Sequence, residues 1–264
     1  MILNKQERPS DGGVGARPPR IPPRVFGWQH LIYLAAAIAV GVAIFLIVRK
    51  KYAKNERAMN RIFKGFGIVL LISIILNRIG EVMRLHGWIY IFPNTFCGLG
   101  SFVLAFALIF GKRDNIVLHF IAYLAVFGGI VNLIYPYYVG QHRMFFYLST
   151  FTSLLHHTLC VMIFILMVYT GYLKPNPKKW YAIPLGLCAF MTCGIFELTI
   201  FMPIDAAYDA MNIVVAIVPK TILTWWFVGI GFMLAYTAFL LVHHFVVKFK
   251  NMHRRTKVGG GAEP

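Results

Sequence analysis

Seven long apolar runs constrain the fold of this chain more than any other feature of its sequence. Most of them approach the roughly 20 residues that a helix needs to cross a bilayer. Because only helices and closed barrels satisfy their backbone polar groups in hydrocarbon, the pattern predicts an all-α, polytopic bundle of about seven transmembrane helices. The runs are Trp28–Val48, Ile62–Met83, Ile89–Phe110, Ile116–Tyr135, Met144–Thr170, Tyr181–Phe201 and Ile222–Val247.

Charge placement predicts how the bundle sits in the membrane. The net charge of +17 would be compatible with nucleic-acid binding, but the basic residues cluster in short loops between the apolar runs, as in membrane proteins that set their orientation by positive loops. The loops after the first, third and fifth runs and the C-terminal end carry most of them. We therefore predict a multi-pass protein of the cell membrane, with the N-terminus outside, the C-terminus cytoplasmic, membrane lipids as partners and no nucleic acid.

The regions outside the runs predict a simple domain organisation. Residues 1–27 form a Pro/Gly/Arg-rich segment that we expect to be disordered, because its paired prolines oppose a helix. Residues 28–247 form the transmembrane domain, and residues 248–264 form a basic cytoplasmic tail. We identify no cleavable signal peptide, internal repeat or second soluble domain. All four cysteines fall within apolar runs, so a disulfide framework is not expected.

Polar side chains within the runs predict a pocket. In hydrocarbon such groups are costly unless they pair or function. A helical rise of about 1.5 Å per residue places most of them between the midplane and the outer face. Cys97 lies about 12 Å and the histidine pair about 18 Å from the outer ends of their runs. We predict that the pocket is formed by Arg78, Glu81, Asn94, Cys97, His156, His157 and Glu197.

Several of these groups also have purely structural interpretations. Arg78 and Glu81 are spaced to neutralise each other on one helix face, and Glu197 could reach interfacial water. A buried cysteine is usually a small apolar side chain, which is our interpretation of Cys160, Cys188 and Cys193. His119, nearer a helix end, is also interpreted as structural.

A cysteine and a histidine at similar depth suggest nucleophilic chemistry. An imidazole within hydrogen-bond reach can deprotonate a thiol, and a carboxylate such as Glu81 or Glu197 could orient that imidazole. Substrates reaching this depth would be lipid acyl esters, so the predicted reaction is acyl transfer or hydrolysis through a thioester on Cys97. Only one of His156 and His157 need face the site, because consecutive helical residues point about 100° apart. No metal site is predicted, and no cofactor is expected.

The segment FPNTFCGLGSFVLAFALIF, residues 92–110, resembles the LPLHLC-type helix of bacterial YwaF-like integral membrane proteins. Those proteins are distantly similar to animal multispan lipid acyltransferases and androgen-induced fatty-acid-ester hydrolases. Glu81, the segment Asn132–Pro136 and the Arg-Met-Phe-Phe start of the fifth run match in order, over roughly residues 62–172. The resemblance implies that Cys97 accepts the acyl group and that His156 or His157 is the helix-five histidine. Thr95 stands where the motif has histidine, and the Asn-Tyr and Lys-Pro signature expected after the sixth run is missing.

Two other classes of function stay open at this point. A small-molecule or ion-coupled transporter could line its pathway with Glu81, Arg78, His156 and Glu197, although the absence of an inverted repeat argues against a secondary transporter. A non-catalytic sensory or scaffold subunit would need only the seven-span shape.

Overall fold

The computed structural model describes residues 24–52, 55–93, 96–136, 142, 144–189, 192 and 222–259, and the regular secondary structure of these residues is helical. A π-helical turn, Val48–Tyr52, continues the first helix, and 3₁₀ turns cover Trp88–Ile91 and Pro177–Lys179. Residues 182–189 are also helical. The main helices are α1 (Trp28–Ile47), α2 (Glu56–Leu85), α3 (Phe96–Phe110), α4 (Leu118–Ile134), α5 (Leu148–Thr170) and α6 (Ile222–Gly259).

Four helical segments are long and apolar enough to cross a bilayer. They are Trp28–Tyr52, Glu56–Leu85, Leu148–Thr170 and Gly229–Phe249. The all-helical, membrane-embedded architecture predicted from the apolar runs is therefore confirmed. α6 continues beyond the predicted seventh run to Gly259 and so enters the predicted basic tail.

The third run is not the continuous helix that its hydropathy predicts. A 3₁₀ turn covers Trp88–Ile91, and α3 begins only at Phe96. Pro93 explains the break, because proline lacks an N–H group and disfavours the helical conformation of the preceding residue. The 15 residues of α3 span about 22 Å. Cys97 consequently lies in the first turn of a short helix, and the predicted position about 12 Å along a continuous helix is wrong.

Contacts along the bundle show that neighbouring helices alternate in direction. On α3 and α4, Gly100 packs against Leu124 while Cys97 packs against Gly128, so the two helices are antiparallel. α4 and α5 are antiparallel as well, since Gly129 meets His157 whereas Tyr123 meets Phe164. α3 and α5 therefore run in the same direction.

α1 lies on the outside of this arrangement. His30 is its only buried residue, and the histidine ring ties the start of α1 to the end of α4 through a 2.9 Å hydrogen bond from Nε2 to the Leu133 carbonyl. The backbone N–H of Phe26 donates to the other ring nitrogen of His30. Most of the remaining α1 surface is apolar and exposed, as expected for a helix facing lipid.

A polar latch joins the α3–α4 loop to the segment after α5. The Asp114 carboxylate lies 2.6 Å from Nζ of Lys179 and 2.8 Å from Nε2 of His119, and it accepts the backbone N–H of Lys174. Burial alone would raise the pKa of Asp114, but the hydrogen bonds from Lys179 and Lys174, together with His119, outweigh it and hold the pKa below its usual value. The latch thus closes the end of the bundle opposite Cys97.

Glycine lets α2 approach α5 at backbone distance. A methyl group at Gly80 would lie 2.9 Å from both Cα and Cβ of Ser149.

We predict that Gly80→Ala lowers the free energy of unfolding by about 1–3 kcal/mol, because the backbones must separate. Gly65, on the same helix, has open space around its Cα, so Gly65→Ala should raise stability by about 0.5–1 kcal/mol. Thermal unfolding of both variants in detergent tests this pair, and equal effects would contradict it.

The latch predicts a specific pH dependence. A carboxyl whose pKa is lowered by folding stabilises the protein above its unfolded pKa, about 3.9, and this stabilisation is lost as pH falls through the folded value. We expect Asp114→Asn to be less stable than the wild type by about 0.5–1 kcal/mol at pH 7. The difference should shrink steadily below pH 4. A difference independent of pH would show that the carboxylate charge does not stabilise the fold.

Candidate functional site

Cys97 is the second residue of α3 and faces α4. The Asn132 side chain donates a hydrogen bond from Nδ2 to Sγ of Cys97, at 3.2 Å. Gly128 is necessary for this approach, because a Cβ at that position would lie only 3.1 Å from Sγ. Because α3 starts at Phe96, the thiol also lies at the positive end of the helix dipole, which favours negative charge.

Asn132 itself is 2% exposed. Its Nδ2 atom also donates to the Gly128 carbonyl at 2.9 Å, which fixes the amide against α4. The Oδ1 atom has no hydrogen-bond partner within the described ranges. An unsatisfied buried acceptor costs about 1–3 kcal/mol, so the amide provides one donor for Cys97 and one acceptor for a ligand or water.

His156 and His157 both lie inside the bundle, each 3% exposed, with ring centroids 4.0 Å apart. The expectation that only one of them need face the site stays a prediction. Each Nδ1 lies against the backbone carbonyl four residues earlier, His156 against Thr152 at 3.0 Å and His157 against Ser153 at 2.6 Å. A carbonyl can only accept, so Nδ1 carries the proton in each neutral ring and the Nε2 lone pair is the basic site.

Cys97 and the histidines lie at the same level of the bundle. Oγ of Ser101 on α3 contacts Sγ of Cys160 on α5 at 3.3 Å. Cys97 is one turn before Ser101, and His156 is one turn before Cys160. Since α3 and α5 run in the same direction, both residues are displaced from this contact toward the same end. Cys97 and His156 therefore lie at a similar height along the bundle.

The polar groups of α2 are arranged differently from the prediction. Glu81 forms a 2.6 Å ion pair with Arg84, not with Arg78, while Arg78 donates two hydrogen bonds to Oδ1 of Asn77. Arg78 and Arg84 are each three residues from Glu81, on opposite sides of it, and Glu81 pairs with Arg84. The Arg78 guanidinium nevertheless lies within electrostatic range of both histidines, so it remains beside the site, whereas Glu81 is held at the end of α2.

Backbone carbonyls hold Nδ1 of both imidazoles, because Thr152 and Ser153 supply the acceptors. Sequence reasoning assigned the orienting role to Glu81 or Glu197, and Glu81 is paired with Arg84 instead. Asn94 and Glu197 lie outside the described residues. In the described part of the chain no group of three or more His, Cys, Asp or Glu side chains could hold a metal ion.

Two residues of this region were missed as site residues. Asn132 entered the sequence argument only as the end of a family motif, and His30 did not enter it. A polar residue near the end of an otherwise apolar run was the available signal in both cases, but it does not reveal which helix the side chain contacts.

A family model described as the TMEM164 family matches residues 25–247. The chain belongs to the TMEM164 family. The match covers α1 to α5 and α6 as far as residue 247. It includes Cys97, Asn132 and both histidines. No curated protein and no solved structure matches the chain. Membership of this transmembrane family, together with four helices of spanning length, makes the chain a multi-pass membrane protein that contacts lipid.

The Asn132–Cys97 bond in this TMEM164 family member predicts a change in thiol reactivity. Cys97 would be followed in a background with the other three cysteines replaced by alanine. Removing the donor with Asn132→Leu should slow alkylation of Cys97 by iodoacetamide about fivefold, because a hydrogen bond worth about 1 kcal/mol no longer stabilises the thiolate.

Asn77→Leu is the matched control. Asn77 is also 2% exposed, and its side chain also donates a hydrogen bond to a neighbouring helix, where the Ser149 carbonyl accepts it. It should leave the alkylation rate of Cys97 unchanged even if it destabilises the protein. Equal rates for Asn132→Leu and its parent would rule out a role for the amide at the thiol.

Proposed function

We propose that this protein is a membrane acyltransferase or lipid-ester hydrolase in which Cys97 is the acyl-accepting nucleophile and His156 or His157 is the base. The observation that carries the proposal is the grouping of three features at one level of the bundle. These are a thiol at a helix N-terminus, an amide donor directed at its sulfur, and imidazoles whose tautomer leaves Nε2 basic. The family resemblance of residues 92–110 supports the same assignment.

The first step would transfer an acyl group from a lipid ester to the protein. Nε2 of the histidine takes the proton of the Cys97 thiol, and Sγ attacks the ester carbonyl carbon. The C=O electron pair moves onto oxygen and then returns as the bond to the alkoxide breaks. The imidazolium gives its proton to the departing alcohol, which leaves a thioester on Cys97. Attack by a second lipid alcohol completes transfer, and attack by water completes hydrolysis.

An apolar cavity that extends from Leu99 toward the latch end of α4 supports a lipid substrate. It has a volume of about 420 Å³ and lies between α3, α4 and residues 182–189. Leu99, two residues after Cys97, lies at its wall, together with Val103, Ile121 and Leu185. Cavities of about 300–1,000 Å³ with apolar walls are typical of small-ligand sites, and an acyl chain is the matching ligand inside a membrane.

We also propose the seven-span topology with the N-terminus outside. α6 is antiparallel to α4, because Phe127 meets Phe232 whereas Tyr123 meets Phe239. α5 and α6 therefore run in the same direction. A further crossing is needed between them, and the sixth apolar run, Tyr181–Phe201, supplies it. The basic loops then share one side, which supports a cytoplasmic C-terminus.

The transport hypothesis has less support than the acyl-transfer hypothesis. It needs charged groups along a pathway through the bundle, but Glu81 is already paired with Arg84. The scaffold hypothesis does not explain why polar atoms around the thiol are buried without a hydrogen-bond partner among the described residues.

The direct test is formation of a thioester. Purified protein in phospholipid nanodiscs would be incubated with phosphatidylcholine carrying an alkyne-tagged acyl chain, and the tag would be detected on the denatured protein. We expect a label that neutral hydroxylamine removes, and Cys97→Ala should abolish it. Cys188→Ala is the control, because Cys188 is an exposed free cysteine on residues 182–189. Full labelling of Cys97→Ala would contradict the proposal.

A further inference from the structure

α6 contributes a buried tyrosine to the region around Cys97. Tyr236 is 4% exposed, and its ring lies 5.6 Å from that of Tyr123 on α4. Tyr236 also stacks on Phe232, one turn earlier, at 6.0 Å. Phe232 packs edge-on against Phe127, the neighbour of Gly128, at 4.8 Å. This aromatic cluster brings Tyr236 beside the segment of α4 that contacts the thiol.

The rotation of α6 is fixed from its other side. Nε1 of Trp180 donates a 2.7 Å hydrogen bond to Oγ1 of Thr237, the residue after Tyr236. Thr237 in turn donates to the Met233 carbonyl. Adjacent helical residues point about 100° apart, so a helix held by Thr237 on one side keeps Tyr236 turned toward α4.

The Tyr236 hydroxyl is buried and has no hydrogen-bond partner among the residues that the structure describes. The Tyr236 ring stacks on Phe232, which packs against Phe127 of α4, next to the Gly128 on which Cys97 packs. Leaving a hydroxyl group buried and unsatisfied is unfavourable, whereas phenylalanine would fill the same space without that cost. A hydroxyl in this position therefore calls for a partner that enters the site.

The unsatisfied atoms around the thiol are chemically distinct. Nε2 of His156 and Oδ1 of Asn132 are also buried without a partner in the described ranges. With Nδ1 protonated, both of these atoms can only accept hydrogen bonds. Tyr236 therefore supplies the unsatisfied O–H donor of this group, and an ester carbonyl is an acceptor that needs such a donor.

We propose that Tyr236 is a further catalytic residue, whose hydroxyl donates a hydrogen bond to the carbonyl oxygen of the acyl group as Cys97 attacks it. This inference rests on the proposed acyl-transfer function. As the bond from Sγ to the carbonyl carbon forms, the C=O electron pair moves to oxygen, and the O–H of Tyr236 stabilises the resulting charge. No proton leaves Tyr236, and the bond weakens again when the electron pair returns and the alkoxide departs. A preorganised donor of this kind is worth about 100- to 1,000-fold in rate.

The test compares two Tyr→Phe variants that each remove one buried hydroxyl. Tyr236→Phe should lower the rate of Cys97 acylation from alkyne-tagged phosphatidylcholine in nanodiscs by about 100-fold. Tyr123→Phe is the matched control, because Tyr123 is 1% exposed and its hydroxyl is also unsatisfied. That hydroxyl interacts instead with Asp114, toward the other end of the bundle, so acylation should change less than twofold.

A second measurement separates catalysis from folding. Alkylation of Cys97 by iodoacetamide displaces iodide and forms no oxyanion, so Tyr236→Phe should leave its rate unchanged. Equal losses in alkylation and acylation would assign Tyr236 a structural role and overturn the inference. Acylation of Tyr236→Phe at the wild-type rate would overturn it too, while the proposed function stands. If the wild-type protein forms no thioester, both the proposed function and this inference fail.

Discussion

Close contact between glycine and the backbone of α5 is the constraint on which the rest of the bundle depends. Gly80 of α2 lies against Ser149, and Gly129 of α4 lies against the His157 carbonyl. These contacts hold the two helices so near α5 that side chains can reach carbonyls across the interface, as Asn77 does at Ser149. In a membrane, where lipid competes poorly for polar groups, such close approaches let small residues and short hydrogen bonds hold helices together. The histidines are therefore buried because the helices around them cannot move apart.

The architecture could be predicted because hydrocarbon allows few ways to bury a backbone. Long apolar runs predicted the helices, and α1 ends within one residue of the predicted boundary. α3 departs from the prediction, because hydropathy alone treats Ile89–Phe110 as one segment. Pro93 was visible in the sequence, but hydropathy does not register the loss of a single N–H donor. Spanning length is thus easier to predict than the residue at which a helix starts.

The site was only partly predictable, for a different reason. Cys97, His156 and His157 stood out because each is expensive in an apolar run. Their partners did not stand out, since Asn132 and Tyr236 are ordinary near helix ends or within aromatic-rich helices. The carbonyls of Thr152 and Ser153 carry no sequence signal at all, because every residue has one. A backbone carbonyl can hold Nδ1 of a buried histidine without burying another charge.

The polar latch around Asp114 also bears on how the chain is assembled during synthesis. Asp114 is bonded to residues 60 and 65 positions later, Lys174 and Lys179. A ribosome releases the chain from its N-terminus, so these bonds cannot form until the fifth helix has emerged and inserted. Until then the α3–α4 loop carries a carboxylate that lacks these two partners. Closure of this loop therefore marks the moment at which the first five helices have come together, before α6 completes the surroundings of Cys97.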